Sequence, residues 1–190
     1  MDMAEDLKSE RLSLRLLHSE EDGEEFFALV KHDRKALGQW LPWVETMRNL
    51  DACMAFLDAS EIQAGMSNGG LWGLFAPQGL IGTVALHWIQ WDHLSASIGY
   101  WLDSKHQGNG YAREGVARLV QYSFEDLGLH RVEASVAVNN LRSAHLLLSL
   151  GFQREGLRRH AERLHGEFLD HGAFAILQSD GYTGNHFPTV

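Results

Sequence analysis

Gln107-Gly-Asn-Gly-Tyr-Ala-Arg113 stands between a strand-like run, Ser97 to Leu102, and a helix-like run, Arg113 to Leu127. That placement makes the stretch an anion site. Two glycines so close to a helix start let the backbone turn tightly, and the first-turn N–H groups of the helix have no internal partners. The helix dipole adds about half a positive charge at the same end, so a diphosphate can be held without a dedicated lysine. The spacing excludes one phosphate loop and weakens another. A Walker loop needs Gly-Lys-Ser/Thr five residues after its first glycine, and after Gly110 those places hold Gly115, Val116 and Ala117. A dinucleotide fingerprint needs a third glycine where this chain has Arg113.

Working outward, the residues before the loop read as a meander. Leu71 to Ala76 and Leu80 to Trp88 are strand-like and joined by Pro77-Gln-Gly79, and Ser95 to Leu102 returns after a turn at Asp92-His93. Earlier still, Leu12, Leu14 and Leu16 alternate with polar neighbours as a half-buried strand. Ser19 is placed to cap a helix that buries Phe26 and Val30, and Asn49 or Asp51 to cap a second helix through about Ala64. Between these helices, Pro42 interrupts Leu37 to Trp43, so the stretch reads as a loop, with Trp40 and Trp43 either covering the core edge or walling a groove.

After the loop, Val116, Leu119, Val120, Phe124 and Leu127 keep helical spacing and Gly128 ends the helix. Arg131 to Val138 reads as a strand, which makes a right-handed crossover and a parallel pair with the strand before the loop. Asn140 caps a last helix to Leu150, and Phe152 to Leu164 and Phe168 to Leu177 close the chain as strands, with a tail over 179–190.

Composition bounds the function. With 190 residues, 45% of them hydrophobic, residues 1–190 suit a single domain whose core spans about Arg11 to Leu177. The single cysteine, Cys53, excludes an internal disulfide, and the acidic, polar start is unlike a signal peptide, so a cytoplasmic protein is expected. No apolar run approaches the roughly 20 residues that cross a bilayer, so no membrane partner is expected. A formal charge of −9 argues against nucleic acid and for a cationic partner, or serves solubility alone. Eleven histidines occur without a His-Glu-x-x-His pattern, and no metal is expected.

The loop resembles the acetyl-CoA loop of the GNAT N-acetyltransferases, Gln/Arg-x-x-Gly-x-Gly/Ala, as Gln107-x-x-Gly110-x-Ala112. A second pattern follows in the right order: Val136 to Ser143, containing Asn-x-x-Ser, then Leu150-Gly-Phe152. With Ile98-Gly-Tyr-Trp-Leu102, Leu37 to Trp43 and Glu162-Arg-Leu-His-Gly166, the chain resembles the RimJ/RimL branch, which acetylates ribosomal-protein N-termini. The resemblance implies an α+β fold. Its sheet is mixed, mostly antiparallel, of about seven strands, flanked by about four helices and splayed between the fourth and fifth strands.

It also implies the site. Acetyl-CoA would lie in the splay, its pyrophosphate on Gln107, Gly108, Asn109, Gly110, Tyr111, Ala112 and Arg113, with Trp101, Leu102, Asn140 and Ser143 near the thioester. Glu162 would serve as general base and Ser143 as donor to the leaving sulfur, while Trp40, Trp43 and Tyr100 would bind the acceptor. Many GNAT enzymes carry a tyrosine four residues after that serine as the acid, and here the place holds Leu147. The expected acceptor is a protein or peptide N-terminus, with a small polyamine or aminoglycoside-like amine as the alternative. A CoA-binding sensor without turnover is the rival from another class. A homodimer is compatible with these features.

Overall fold

In the computed structural model, which describes residues 2–180, eight strands form one sheet in the order β1-β2-β3-β4-β5-β6-β8-β7. They are β1 (Asp6–Lys8), β2 (Ser13–Leu16), β3 (Gly69–Ala76), β4 (Gly79–Gln90), β5 (Ser95–Leu102), β6 (Arg131–Ala137), β7 (Gln153–Leu164) and β8 (Glu167–Leu177). The strand beyond the expected seven is β1, which pairs Asp6 with Arg15 and Lys8 with Ser13 at the sheet edge. A three-residue strand cannot display a period, so it hid in the polar N-terminal stretch. The expected tail lies outside the described residues from position 181 onward.

Helices α1 (Ser19–His32), α2 (Arg34–Leu37), α3 (Leu50–Gly65), α4 (Tyr111–Glu125) and α5 (Leu141–Ser149) complete the fold. Ser19 does not cap α1. It is the first helical residue, and the buried Asp22 carboxylate accepts from the His18 backbone N–H at 2.8 Å while pairing with Arg15 at 2.6 Å. Asn49 caps α3 by accepting from Ala52 N at 2.9 Å. The Leu37 to Trp43 stretch is more ordered than a loop. It leaves α2 and enters a 3₁₀ turn, Pro42–Glu45, whose first position suits a residue with no N–H to give.

The sheet separates two apolar cores. On one side Val116, Leu119 and Val120 of α4 and Leu147 of α5 pack on Leu86, Ile98, Val132 and Phe174; on the other, Phe26 and Val30 of α1 and Leu57 of α3 pack on Leu71 and Trp101. Between them the parallel pair opens. Strands β5 and β6 share only Ser95↔Arg131, Ala96↔Val132 and Ser97↔Glu133. Beyond that, β5 continues along β4 to the pair Gly82↔Leu102, and β6 continues along β8 to Ala137↔His171. The expected splay is therefore present, numbered one strand later because of β1.

Candidate active site

At the mouth of the splay, Gly108 and Gly110 have φ of 83° and 81°, the left-handed conformation that side chains resist. Gly110 is the N-cap of α4 and supplies no side-chain cap, which leaves the first-turn N–H groups aimed outward. Helix α4 begins at Tyr111, two residues before the expected Arg113, so the loop and the helix end form one surface. Gln107 Nε2 donates to the Leu102 carbonyl at 3.0 Å and its Oε1 accepts from Arg142 of α5, joining the end of β5 to the next helix.

A second brace was invisible in the motif. Arg11 donates from Nη1 to the Asn109 carbonyl at 2.9 Å, meets Glu114 at 2.7 Å and lies 4.7 Å from the centre of the Tyr111 ring. Burial alone would raise the Glu114 carboxyl, but donors from the Arg11 backbone, Ser9 and the Arg11 guanidinium hold it below its ordinary range. Arg113 donates to the Ser149 carbonyl at 3.3 Å, at the far end of α5. Left-handed glycines, an uncapped helix start and Arg11, Arg113 and Arg142 around the loop fit a diphosphate.

Deeper in the splay, Asn140 Oδ1 accepts from Ser143 N at 3.2 Å as the cap of α5. Ser143 Oγ lies 2.8 Å from the Tyr100 hydroxyl, which also reaches the Ser143 carbonyl at 3.2 Å. Tyr100, expected among the acceptor-binding residues, thus reaches across from β5 to α5. Burial pushes its phenol up to about 12, with the Ser143 hydrogen bond pulling in the opposite sense. Leu147 is fully buried in the core, so the place of the usual tyrosine is a packing position here.

The opposite side of the splay is aromatic. Trp101 is buried with its ring 6.1 Å from Phe26 and 6.2 Å from Trp43, and Trp43 stacks on Phe56 at 5.3 Å. Trp43 is half-buried in this cluster, and Trp40, three residues earlier, is half-buried as well. His165, at the β7–β8 turn, binds the Gly38 carbonyl at 2.8 Å and Glu45 at 2.9 Å, pinning the hairpin to the segment around Pro42. A cleft of about 370 Å³ lies there between Arg34, Gly38, Gln39, Val44, Glu45 and His165. A larger one, about 660 Å³, is lined by Phe27, Lys31, Arg34, Glu45 and Arg48 and contains none of the expected site residues.

Glu162 follows an irregularity. The β7–β8 register breaks between Arg158 and Glu162, His160 takes φ of 49°, and its backbone N–H donates to Asp170 Oδ1 at 2.8 Å. Such a bulge re-aims the next side chain. Glu162 is not paired with Arg158, Arg159 or Arg163. Its Oε2 lies 3.3 Å from Nε2 of His171, whose Nδ1 is 3.0 Å from Ser135 Oγ. His171 lies on the other strand of the same hairpin and Ser135 on β6, 36 positions before His171, and no local pattern marks them.

Among the described residues, His32, Asp33 and Asp103 converge as metal ligands could. Each already has a partner. Asp103 lies between His32 at 3.2 Å and His106 at 2.9 Å, and Asp33 accepts from Ser104 N and Oγ. The cluster ties the end of α1 to the residues entering the glycine loop. No described helix is long and apolar enough to cross a membrane.

Residues 11–153 match the acetyltransferase (GNAT) domain. The ribosomal-protein-serine acetyltransferase of Escherichia coli is 26% identical over 176 residues, covering 92% of this chain and 98% of that protein. The spermidine N(1)-acetyltransferase of Vibrio cholerae is 38% identical over 104 residues, 55% of this chain and 60% of that one. Among solved structures, RimL, a ribosomal L7/L12 α-N-protein acetyltransferase, in complex with coenzyme A superposes with a TM-score of 0.87 at 22% identity, covering 91% of this chain and 98% of that one.

Proposed function

We propose that this chain, which belongs to the GNAT acetyltransferase family, transfers the acetyl group of acetyl-CoA directly to a primary amine at the end of a polypeptide. The observation that carries the reading is the splay itself. Past Ser97 and Glu133 the facing backbone groups of β5 and β6 have no ladder, and pantetheine amides can take those places as an added strand does. The pyrophosphate then reaches the Gln107 to Arg113 loop, and the thioester lies between Trp101 and Leu102 on one side and Asn140 and Ser143 on the other.

An alkyl ammonium with a pKa of about 10 is almost wholly protonated at neutral pH and cannot attack a carbonyl. Glu162 accepts that proton, directly or through a water, and the carbonyl oxygen is held by a backbone N–H near Trp101 or Leu102. Ser143 donates to the departing sulfur. Tyr100, kept protonated by burial, lies 2.8 Å from Ser143 Oγ, where either hydroxyl can be the donor; with the Tyr100 proton turned to Oγ, the Ser143 hydroxyl is free to give its own proton to the sulfur, while the place of the tyrosine that serves as the acid in many GNAT enzymes holds Leu147. Cys53 is fully buried and desolvation raises its thiol, which opposes an acyl-cysteine route.

The polypeptide reading is supported by the relative that acetylates a ribosomal protein and matches over nearly its whole length. Spermidine is the competing acceptor, supported by a relative that matches over about half of this chain. Thiol release from acetyl-CoA is the test, with short peptides of varied first residue set against spermidine. Spermidine turnover well above every peptide overturns the polypeptide reading. Acetyl-CoA binding with no thiol release on any acceptor makes the protein a sensor.

A further inference from the structure

We infer that His171, with Ser135 behind it, is a positioning residue that fixes one oxygen of Glu162 so that the other faces the amine. The inference rests on Glu162 as general base and goes beyond it, because it names the groups through which the base is held. His171 is only 9% exposed, and its Nε2 is a buried polar atom with no hydrogen-bond partner of acceptable geometry. A buried polar atom in that state is destabilising unless something satisfies it. Glu162 Oε2 lies 3.3 Å from His171 Nε2. Contacts of this kind in a substrate-free site are often long and tighten when the acceptor arrives.

The tautomer follows from the surroundings. Nδ1 lies 3.0 Å from Ser135 Oγ, a hydroxyl that can donate or accept. If Nδ1 carried the proton, a bare Nε2 lone pair would face a carboxylate at 3.3 Å in a buried place. With the proton on Nε2, Ser135 donates to Nδ1 and the polar N–H has Glu162 Oε2 at 3.3 Å, an attractive contact that a small rotation of either side chain turns into a hydrogen bond. Strand register puts the three side chains together. Ala137 pairs with His171, so Ser135, two residues before Ala137, shares its face, and Glu162 pairs with Leu169, two residues before His171. The bulge around His160 completes the alignment. One proton moves: the ammonium gives it to the free oxygen of Glu162, leaving a neutral amine and a carboxylic acid, and His171 keeps its own.

Two measurements test this. The first needs no acceptor: ¹⁵N chemical shifts of ¹⁵N-histidine-labelled protein at alkaline pH should show His171 protonated at Nε2 and bare at Nδ1. A proton on Nδ1 overturns the inference. The second uses whichever of a Ser-initiated peptide, an Ala-initiated peptide or spermidine turns over fastest. His171→Leu should lower kcat about 10-fold with acetyl-CoA affinity unchanged, His171→Gln should restore most of the loss, and Ser135→Ala should cost a few-fold. In a Glu162→Gln background, His171→Leu should cost less than about 2-fold more, since a residue acting through Glu162 has nothing left to hold. An equal loss in both backgrounds, or full kcat in His171→Leu while Glu162→Gln is crippled, overturns the inference and leaves the base assignment standing. Full kcat in Glu162→Gln removes the base assignment itself. Should His171→Leu fail to fold, His171→Gln, Ser135→Ala and the shift measurement still decide.

Discussion

The cofactor side of the splay and the acceptor side are built from different kinds of sequence information. On the cofactor side the conformation is local: two left-handed glycines, a helix that starts at Tyr111, and Asn140 capping the next helix through Ser143 N. On the acceptor side each group is placed by its neighbours. Glu162 is aimed by a bulge and faces His171 of β8, which faces Ser135 of β6, while Trp43 is oriented by Phe26, Phe56 and Trp101. A site that reads a constant ligand can be written in one short segment. One that reads a variable acceptor is assembled from several strands, and substitutions in any of them retune it.

If that division is right, acceptor-side changes alter turnover and cofactor-side changes alter acetyl-CoA affinity. The largest effect is expected for Glu162→Gln: about 100-fold or more off kcat, with acetyl-CoA affinity nearly unchanged. The loss should shrink as pH rises toward the amine's own pKa, because more acceptor is then neutral without help. Rates measured from pH 7 to 10 check this, and a loss constant across that range would move proton removal to another group.

Gly110→Val probes the cofactor side. A β-branched residue at φ of 81° is strained by a few kcal/mol wherever it sits, and its Cβ would lie 3.2 Å from Arg11 Nη2, the brace of the loop. Acetyl-CoA affinity, by calorimetry on folded protein, should fall on the order of 30-fold. Unchanged affinity would take the pyrophosphate away from this loop.

Tyr100→Phe lies on the boundary and sharpens it. On the proposed mechanism the phenol acts on the leaving sulfur through Ser143, so kcat should fall a few-fold to about 10-fold while acetyl-CoA affinity holds. Ser143→Ala should match or exceed it, and the double variant should lose little more than Ser143→Ala alone. Multiplicative losses would separate the two hydroxyls into independent roles.

The same division explains what could be read before the structure. Periodicity and glycine placement located α4 and the Asn140 cap, because those depend on residues within one turn or one strand, whereas the splay is implied only by the family resemblance. Strand β1 is too short to show a period, and Ser19 reads as a cap because nothing local shows that Asp22, buried against Arg15, satisfies His18 instead. Glu162 could be named from resemblance, but its partner could not. The arginines beside it in sequence are the plausible partners on a regular strand, and a bulge at His160 with a histidine from β8 takes their place. The contacts of Arg11 with Glu114 and of Tyr100 with Ser143 are not legible in the sequence for the same reason, since the partners lie 103 and 43 positions away.

Arg11 supplies the smallest expected effect, and one that tests whether the cofactor side is as local as its motif suggests. Its partner Glu114 has its carboxyl held below the ordinary value, so its contribution to stability is present at neutral pH, above the unfolded pKa of about 4.5. That contribution is lost as pH falls below about 4.5 and through the lowered folded value. Glu114→Gln keeps the shape and removes the charge. At pH 7 it should lower Tm by a few degrees, corresponding to about 1 to 3 kcal/mol for hydrogen bonds to a charged group. By pH 3.5 the gap to the native protein should narrow, because the unfolded carboxyl, with its ordinary value of about 4.5, is by then mostly protonated. Acetyl-CoA affinity should weaken by no more than a few-fold, since the glycine conformations and the helix N–H groups persist without the brace. A loss as large as that of Gly110→Val would mean that the N-terminal segment holds the loop in shape, and the cofactor side would then depend on distant residues as much as the acceptor side does.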